Sequence, residues 1–297
     1  MKWDDKGPSQ DLEDRRGESS GGGGGGFRLG GGRLGIGGFL VLLVLSVVFK
    51  TDLTGALGGG GGGDAPPPSP GAQQAQGPSA PPAQTSAEEE QLVKFMSFVL
   101  DDAQENWAKI FSEGNAAYTR ARLVLFRDQV NTGCGGAQSA SGPFYCPVDQ
   151  KVYVDLGFYD ELRRRFGAPG DFAQAYVLSH EIGHHVQNLL GTERKMRQLQ
   201  QRNPGARNEL SVRLELQADC YAGIWGRHAQ QAGRLEAGDV EEALKAASAV
   251  GDDRISEMQG TSIRPESFTH GSAAERMTWF RRGFDSGRID ACETFSQ

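Results

Sequence analysis

Two histidines four apart with a glutamate beside the first, His180-Glu181-Ile182-Gly183-His184, are the residues of this chain best suited to chemistry. On an α-helix, positions i and i+4 share a face, so both imidazoles can reach one metal ion. Glu181 is rotated by about 100° from His180, so it borders the ion without ligating it. That is the position of a general base taking a proton from a water that the metal activates. With only five His among 297 residues, the pattern is uncommon by chance. The bland reading of the same residues is two surface histidines on an amphipathic helix.

A catalytic zinc site uses three protein ligands and keeps one position open. Downstream, Glu215 and Asp219 stand i, i+4 in a run without Gly or Pro from Ala206 to Ala222, which reads as helix. HExxH followed by such an ExxxD resembles the gluzincin peptidases. The resemblance implies zinc held by His180, His184 and Glu215, with Asp219 hydrogen-bonded to the outer nitrogen of a ligating His. His185 is five residues from His180, off the shared face, and reads as a neighbouring structural or substrate contact. Near the C-terminus, Thr269-His270-Gly271 followed by Arg276 is similar to the His-Pro…Arg element of the membrane-embedded CAAX-type gluzincins, with Gly271 in place of Pro. That similarity implies catalytic roles for His270 and Arg276 at a developing oxyanion, with Tyr153 as a further candidate. The residues alone equally allow His270 to cap a helix starting near Ser272.

From about Thr132 to Phe280 the motifs follow one another in a longer order. They are Gly133-Cys134-Gly135, Gly142 to Pro147, Asp149, Val152 to Asp155, the run His180 to Gln187, and Glu215 to Tyr221. In this the chain resembles the bacterial neutral zinc metallopeptidase family. The resemblance implies a zinc-dependent peptidase with one catalytic Zn2+ ion and a peptide or protein substrate, and defines that substrate no further.

The elements that must position these residues are legible in part. Asp171 after Gly170 suits a helix N-cap and Gly191 suits the C′ position. Between them Ala175, Leu178, Ile182, Val186 and Leu189 make an apolar stripe on the side away from the histidines. Glu89–Phe111 carries a similar stripe through Leu92, Phe95, Phe98 and Val99, extended by Trp107 and Ile110. Lys151–Leu156 alternates and is rich in Val and Tyr, so it reads as a strand, and Phe158–Phe166 reads as a helical segment. By resemblance to gluzincins, Val152, Tyr153, Val154 and Asp155 form an edge strand that pairs with the substrate backbone; the alternative is an interior core strand. Val240–Val250 reads as another amphipathic helix, and Gly251-Asp252-Asp253-Arg254 as a polar turn without the spaced ligands of a Ca²⁺ site.

Composition divides the chain into tail, anchor, linker and domain. Residues 1–33 are polar and Gly-rich and read as a disordered tail. Residues 34–50 contain a sixteen-residue run without charge, Leu34 to Phe49, flanked by Arg33 and Lys50. They read as a single transmembrane helix near the lower length limit, with a cleaved signal peptide as the other reading. The excess of Arg before the segment puts the N-terminus in the cytoplasm and the domain outside, periplasmic or at the cell surface. Residues 51–88 form a Gly/Pro/Ala-rich linker with an r.m.s. span on the order of 35 Å. Residues 89–297 suit one domain.

Four cysteines, Cys134, Cys146, Cys220 and Cys292, all fall in that domain, and their even number suggests disulfides. Proximity favours Cys134–Cys146, leaving Cys220–Cys292. A net charge of −7 argues against a nucleic-acid partner; oligomeric state is not set by the sequence. The expected fold is α+β and mostly helical, a zincin-like metallopeptidase domain tethered to a membrane. The expected function is hydrolysis of peptide bonds with Glu181 as general base. The alternatives are a zinc-binding scaffold without catalysis, which would favour a closed four-ligand site, and a zinc amide hydrolase acting on a non-protein substrate.

Overall fold

Strand alternation and helical stripes build this chain around the HExxH helix. The computed structural model describes residues 1–18, 86–138, 142–164, 167–168 and 170–295. The strands are β1 (Leu12–Asp14), β2 (Arg122–Phe126), β3 (Gln129–Thr132), β4 (Gly135–Gln138), β5 (Phe144–Cys146) and β6 (Lys151–Asp155). The helices are α1 (Ala87–Glu113), α2 (Gly157–Arg164), α3 (Asp171–Leu190), α4 (Thr192–Arg202), α5 (Arg207–Gln231), α6 (Asp239–Ala249), α7 (Asp252–Gln259) and α8 (Ala273–Ser286). The architecture is α+β and mostly helical, as expected.

Four strands pair in the order β1-β2-β6-β5; β1, β2 and β6 run parallel and β5 is antiparallel to β6. Successive strand side chains face opposite ways. Leu123, Leu125, Val152 and Val154 therefore enter the helical core, while Val124, Phe126 and Tyr153 join Val130 and Cys146 in a small cluster on the other face. The position of β6 bears on the substrate-strand expectation. On one side β2 pairs with all of Lys151–Asp155; on the other, among the described residues, β5 pairs with Lys151–Tyr153. Val152 and Tyr153 thus lie between two strands, and the strand at that end of the sheet is β5.

Helix α3 packs against α1, α5 and α6. Its apolar stripe is where the spacing puts it: Ala175, Leu178, Ile182 and Val186 are fully buried, each of the larger three contributing about 1.5–3 kcal/mol. Gly170 is the N-cap and Asp171 the first helical residue, so the helix starts one position earlier than expected, and Gly191 closes it in the left-handed conformation at φ 76°. Residues 251–254 also depart from expectation, since α7 starts at Asp252. Both disulfides, Cys134–Cys146 and Cys220–Cys292, are formed.

The first eighteen residues correct the expected tail. Strand β1 extends the sheet beside β2, with Leu12 opposite Leu123 and Asp14 opposite Leu125. Glu13 accepts from Lys151 at 2.8 and 2.9 Å and from Arg122 at 3.0 Å. Arg16 is buried against Asp14 and Glu90, Trp3 packs edge-on to Phe95, and the amino group of Met1 lies among Asp171, Glu236 and Asp239. Composition misjudges this segment because main-chain pairing and charged partners far along the chain hold it, not apolar area of its own.

Residues 19–33, the apolar segment within 34–50 and linker residues up to 85 lie outside the described residues. Among the described residues no helix is long and apolar enough to cross a membrane. A single crossing between residues 18 and 86 would separate two parts that here pack as one body, so that topology and this docking cannot coexist in one molecule.

Candidate metal centre

Two helices meet where the histidines project. At their crossing, a Cβ added to Gly183 would lie 3.0 Å from the carbonyl oxygen of Ala218 and 3.2 Å from its Cα. A residue without a side chain between the two histidines therefore lets α3 approach α5 closely enough for Glu215 to reach both imidazoles. His180 Nε2 is 3.1 Å from Glu215 Oε2, and His184 Nε2 is 3.5 Å from Glu215 Oε1. One ligand atom from each of the three residues lies within 4.8 Å of the others.

The donor set fits zinc. With bonds of about 2.0–2.1 Å, ligand atoms of a tetrahedral ion stand roughly 3.3–3.5 Å apart, close to the 3.1 and 3.5 Å separations to the two oxygens of Glu215. Two imidazoles and one carboxylate also have the chemistry of an open catalytic site. The local electrostatics call for a cation. Burial disfavours charge on Glu215, but the adjacent His184 and the hydrogen bond from His180 outweigh it and hold the carboxyl well below its usual range. Burial likewise opposes charge on His184, yet Glu215 beside it pushes the imidazole up to about 10. A buried carboxylate facing two imidazoles marks a place where a divalent ion is favoured.

Behind the ligands the chain supplies acceptors that aim them. Asp219 Oδ1 is 2.8 Å from His180 Nδ1, so Nε2 faces the ligand cluster. Asp219 is fully buried. Burial raises its proton affinity, but Arg276 and His180 more than reverse this and keep the carboxyl low. Tyr176 donates to the same oxygen at 2.5 Å. On the other ligand, His184 Nδ1 is 2.9 Å from Gln187 Oε1.

Glu181 is buried next to this cluster, outside its ligand set. Burial pushes its carboxyl up, only partly offset by the histidines, which suits a group that must accept a proton near neutral pH. His270 sits on the loop before α8. Its Nδ1 is 3.0 Å from Thr269 Oγ1 and 3.3 Å from Asp252 Oδ1; burial disfavours charge on the ring, but the hydrogen bond to Asp252 and then the charge of Glu215 outweigh it and raise its proton affinity. Three backbone N–H groups, of Thr269, His270 and Gly271, also donate to Asp252 Oδ2. The helix cap is Ser272, in a capping box with Glu275, so His270 is not spent on capping.

Arg276 lies elsewhere than its resemblance implies. It is 3% exposed. Its Nε and Nη2 donate to the two oxygens of Asp219 at 2.8 and 2.9 Å, and Nη1 donates to the Val250 carbonyl at 3.2 Å. It therefore stands behind His180 and Asp219. Tyr153 is also directed away, with its hydroxyl donating to Asp149 at 2.7 Å and its ring stacked on Phe144. His185 is a buried structural histidine between Tyr145 Oη and the Thr119 carbonyl.

Three residues of this neighbourhood escape the sequence reading. Tyr176 and Gln187 stand four before His180 and three after His184, so helical spacing could have found them. Asp252, eighteen residues before His270, left no such signal.

Comparison with known proteins shows the family of the chain. The chain is 46% identical over 302 residues to the "Uncharacterized protein YpfJ" of Escherichia coli K12, covering 100% of this chain and 99% of that protein. It is 47% identical over 190 residues to "Uncharacterized protein Rv2575" of Mycobacterium tuberculosis H37Rv and to "Uncharacterized protein Mb2605" of Mycobacterium bovis, covering 60% of this chain and 64% of each. No solved structure matches it. The family described as "Putative neutral zinc metallopeptidase" matches residues 1–295, a span that takes in the docked N-terminal strand as well as the histidine helix, and the chain belongs to that family.

Proposed function

We propose that this chain is a zinc peptidase that hydrolyses peptide bonds, with zinc held by His180, His184 and Glu215 and Glu181 as general base. The observation that carries the reading is the convergence of three ligand side chains from two helices beside a buried carboxyl that is not one of them. Zinc in this site supplies a Lewis acid that acidifies a water and polarises the scissile carbonyl. Glu181 takes the proton from the attacking water and passes it to the leaving amine nitrogen. Its burial supports this role, since a carboxyl of raised proton affinity both accepts and releases a proton readily.

We assign His270 the oxyanion donor role as an imidazolium: its Nδ1–H is directed at Asp252, and in the protonated ring that Asp252 and Glu215 favour Nε2–H is left to donate. Arg276 takes a positioning role, fixing the carboxylate that aims His180. For the substrate main chain the reading moves to β5, whose pairing among the described residues is to β6 alone. Its Tyr145 hydroxyl touches His185 and Asn188 of the histidine helix. A membrane tether at residues 34–50 belongs to this proposal only in a form that leaves residues 1–18 and 86–295 on one side.

The test is to incubate the full chain, loaded with zinc, with a mixed peptide pool and to read cleavage by mass spectrometry. Glu181→Gln should still bind one zinc and lose cleavage by about 10²–10⁴-fold. A zinc-loaded, folded wild type that cuts nothing would overturn the peptidase reading in favour of a scaffold or a non-peptide amide hydrolase.

A further inference from the structure

Gln187 and Gln217 are both buried, on different helices, and no step of the proposed chemistry uses either. Their hydrogen bonds run in one line. The Cys292 carbonyl accepts from Gln217 Nε2 at 3.0 Å. Gln217 Oε1 accepts from Gln187 Nε2 at 3.1 Å, and the same Nε2 gives its other hydrogen to the Leu214 carbonyl at 2.7 Å. Gln187 Oε1, the one remaining polar atom of that amide, is 2.9 Å from His184 Nδ1.

The direction of this line is forced. Backbone carbonyls only accept, so the NH₂ of Gln217 must face Cys292 and the NH₂ of Gln187 must face Leu214. A flip of either amide would set oxygen against oxygen at about 3 Å, at the cost of a lost buried hydrogen bond. With both orientations set, the group facing His184 is an oxygen, and Nδ1 must carry a hydrogen. In the neutral, ligating ring Nε2, which is directed at Glu215, is then the nitrogen with the free lone pair. The far end is anchored as well, because Cys292 is bonded to Cys220 on the helix that carries Glu215 and Gln217.

We propose that Gln217 and Gln187 form an amide relay from the Cys292 carbonyl that fixes the tautomer and ring orientation of His184. Gln187 is its positioning residue. The inference rests on the zinc site of the proposed function and adds to it an asymmetry. His180 is aimed by a carboxylate with an arginine behind it, whereas His184 is aimed by a neutral chain of amides. The neutral partner leaves the net charge of the site to its ligands and to Glu181.

The test uses the full chain, with zinc affinity measured by chelator competition and unfolding measured separately on zinc-free protein. Gln187→Met should weaken zinc by about 10–100-fold. Gln187→Glu, which keeps an acceptor for His184 but sets oxygens against Leu214 and Gln217, should restore most of that affinity while remaining less stable than wild type. Gln217→Met should weaken zinc by less than Gln187→Met, and the double Met variant should be no weaker than Gln187→Met alone, because Gln217 acts through Gln187. In ¹⁵N-histidine spectra of zinc-loaded wild type, His184 should show a slowly exchanging Nδ1–H that Gln187→Met removes.

Zinc affinity of Gln187→Met equal to wild type, additive losses in the double variant, or His184 bound through Nδ1 would each overturn the relay. If Gln187→Met does not fold, the wild-type spectrum and Gln217→Met decide. A folded wild type that binds no zinc would instead remove the proposed site, and this inference with it.

Discussion

Replacing Arg276 by Met should unfold this protein more readily rather than merely slow it. The guanidinium is 3% exposed, and Asp219, whose two oxygens it holds at 2.8 and 2.9 Å, is fully buried. Arg276 also bonds the Val250 carbonyl and Tyr176 Oη, each at 3.2 Å. Methionine fills much of the same space but leaves Asp219 as a buried anion with only Tyr176 and His180 as partners. Removing one member of such a pair costs about 3–5 kcal/mol. In a domain of this size each kcal/mol shifts the melting temperature by roughly 2–4 °C, so the expected loss is about 6–20 °C. The assay is thermal unfolding by circular dichroism in the presence of a chelator, so that zinc does not enter the comparison. Adding Asp219→Asn to Arg276→Met should recover part of the loss, because it removes the stranded charge. An Arg276→Met protein that melts within about 2 °C of wild type, yet has lost cleavage, would refute this account and return Arg276 to the oxyanion.

Gly183→Ala should weaken zinc binding together with stability, because its Cβ would press on the Ala218 backbone and move α5 away from α3; a cost of about 1–3 kcal/mol is expected, and unchanged zinc affinity would contradict the close-approach argument. Burial raises the proton affinity of Glu13, but Lys151, Arg122 and Arg15 outweigh it and hold the carboxyl at about 2. A depressed carboxyl stabilises the docked state above its unfolded value of 4.5, and this contribution is lost as pH falls from there toward 2. Fluorescence of Trp3 and its neighbours should therefore report undocking over that range, and Glu13→Gln should flatten the part due to this residue. Docking also predicts that cysteines introduced at exposed positions on the two parts, Lys6→Cys and Ser112→Cys, react with an impermeant maleimide from the same side of the membrane in intact cells; opposite sidedness would show that residues 1–18 leave the domain.

Local spacing was enough for the residues that meet within one helix. The i, i+4 relation brought His180 to His184 and Glu215 to Asp219, and the apolar stripe of α3 followed from the same period, because a helix converts sequence distance directly into direction. The i, i+3 relation of Gln187 to His184 was equally available, but it meant nothing without a second helix to supply Leu214 and Gln217. Strand character was also legible at Lys151–Asp155, whereas its place inside the sheet depended on which strands came to lie beside it.

What only the tertiary structure decided are the meetings between distant segments. Arg276 and Asp219 are 57 residues apart, and nothing local distinguishes an arginine that faces substrate from one buried against a carboxylate. Asp252 reaches the His270 loop in the same way. The docking of residues 1–18 is the largest such case, since a short polar segment has no apolar pattern of its own. Its order comes from β2, Lys151, Arg122 and Phe95, all supplied by the rest of the chain. The sequence by itself determined the residue types of the candidate metal site and the helix face that presents them. Tertiary packing decided how each ligand is aimed and which polar groups lie behind it, because hydrogen bonds and buried charges depend on separation in space, and only helical and strand periodicity translate sequence into that.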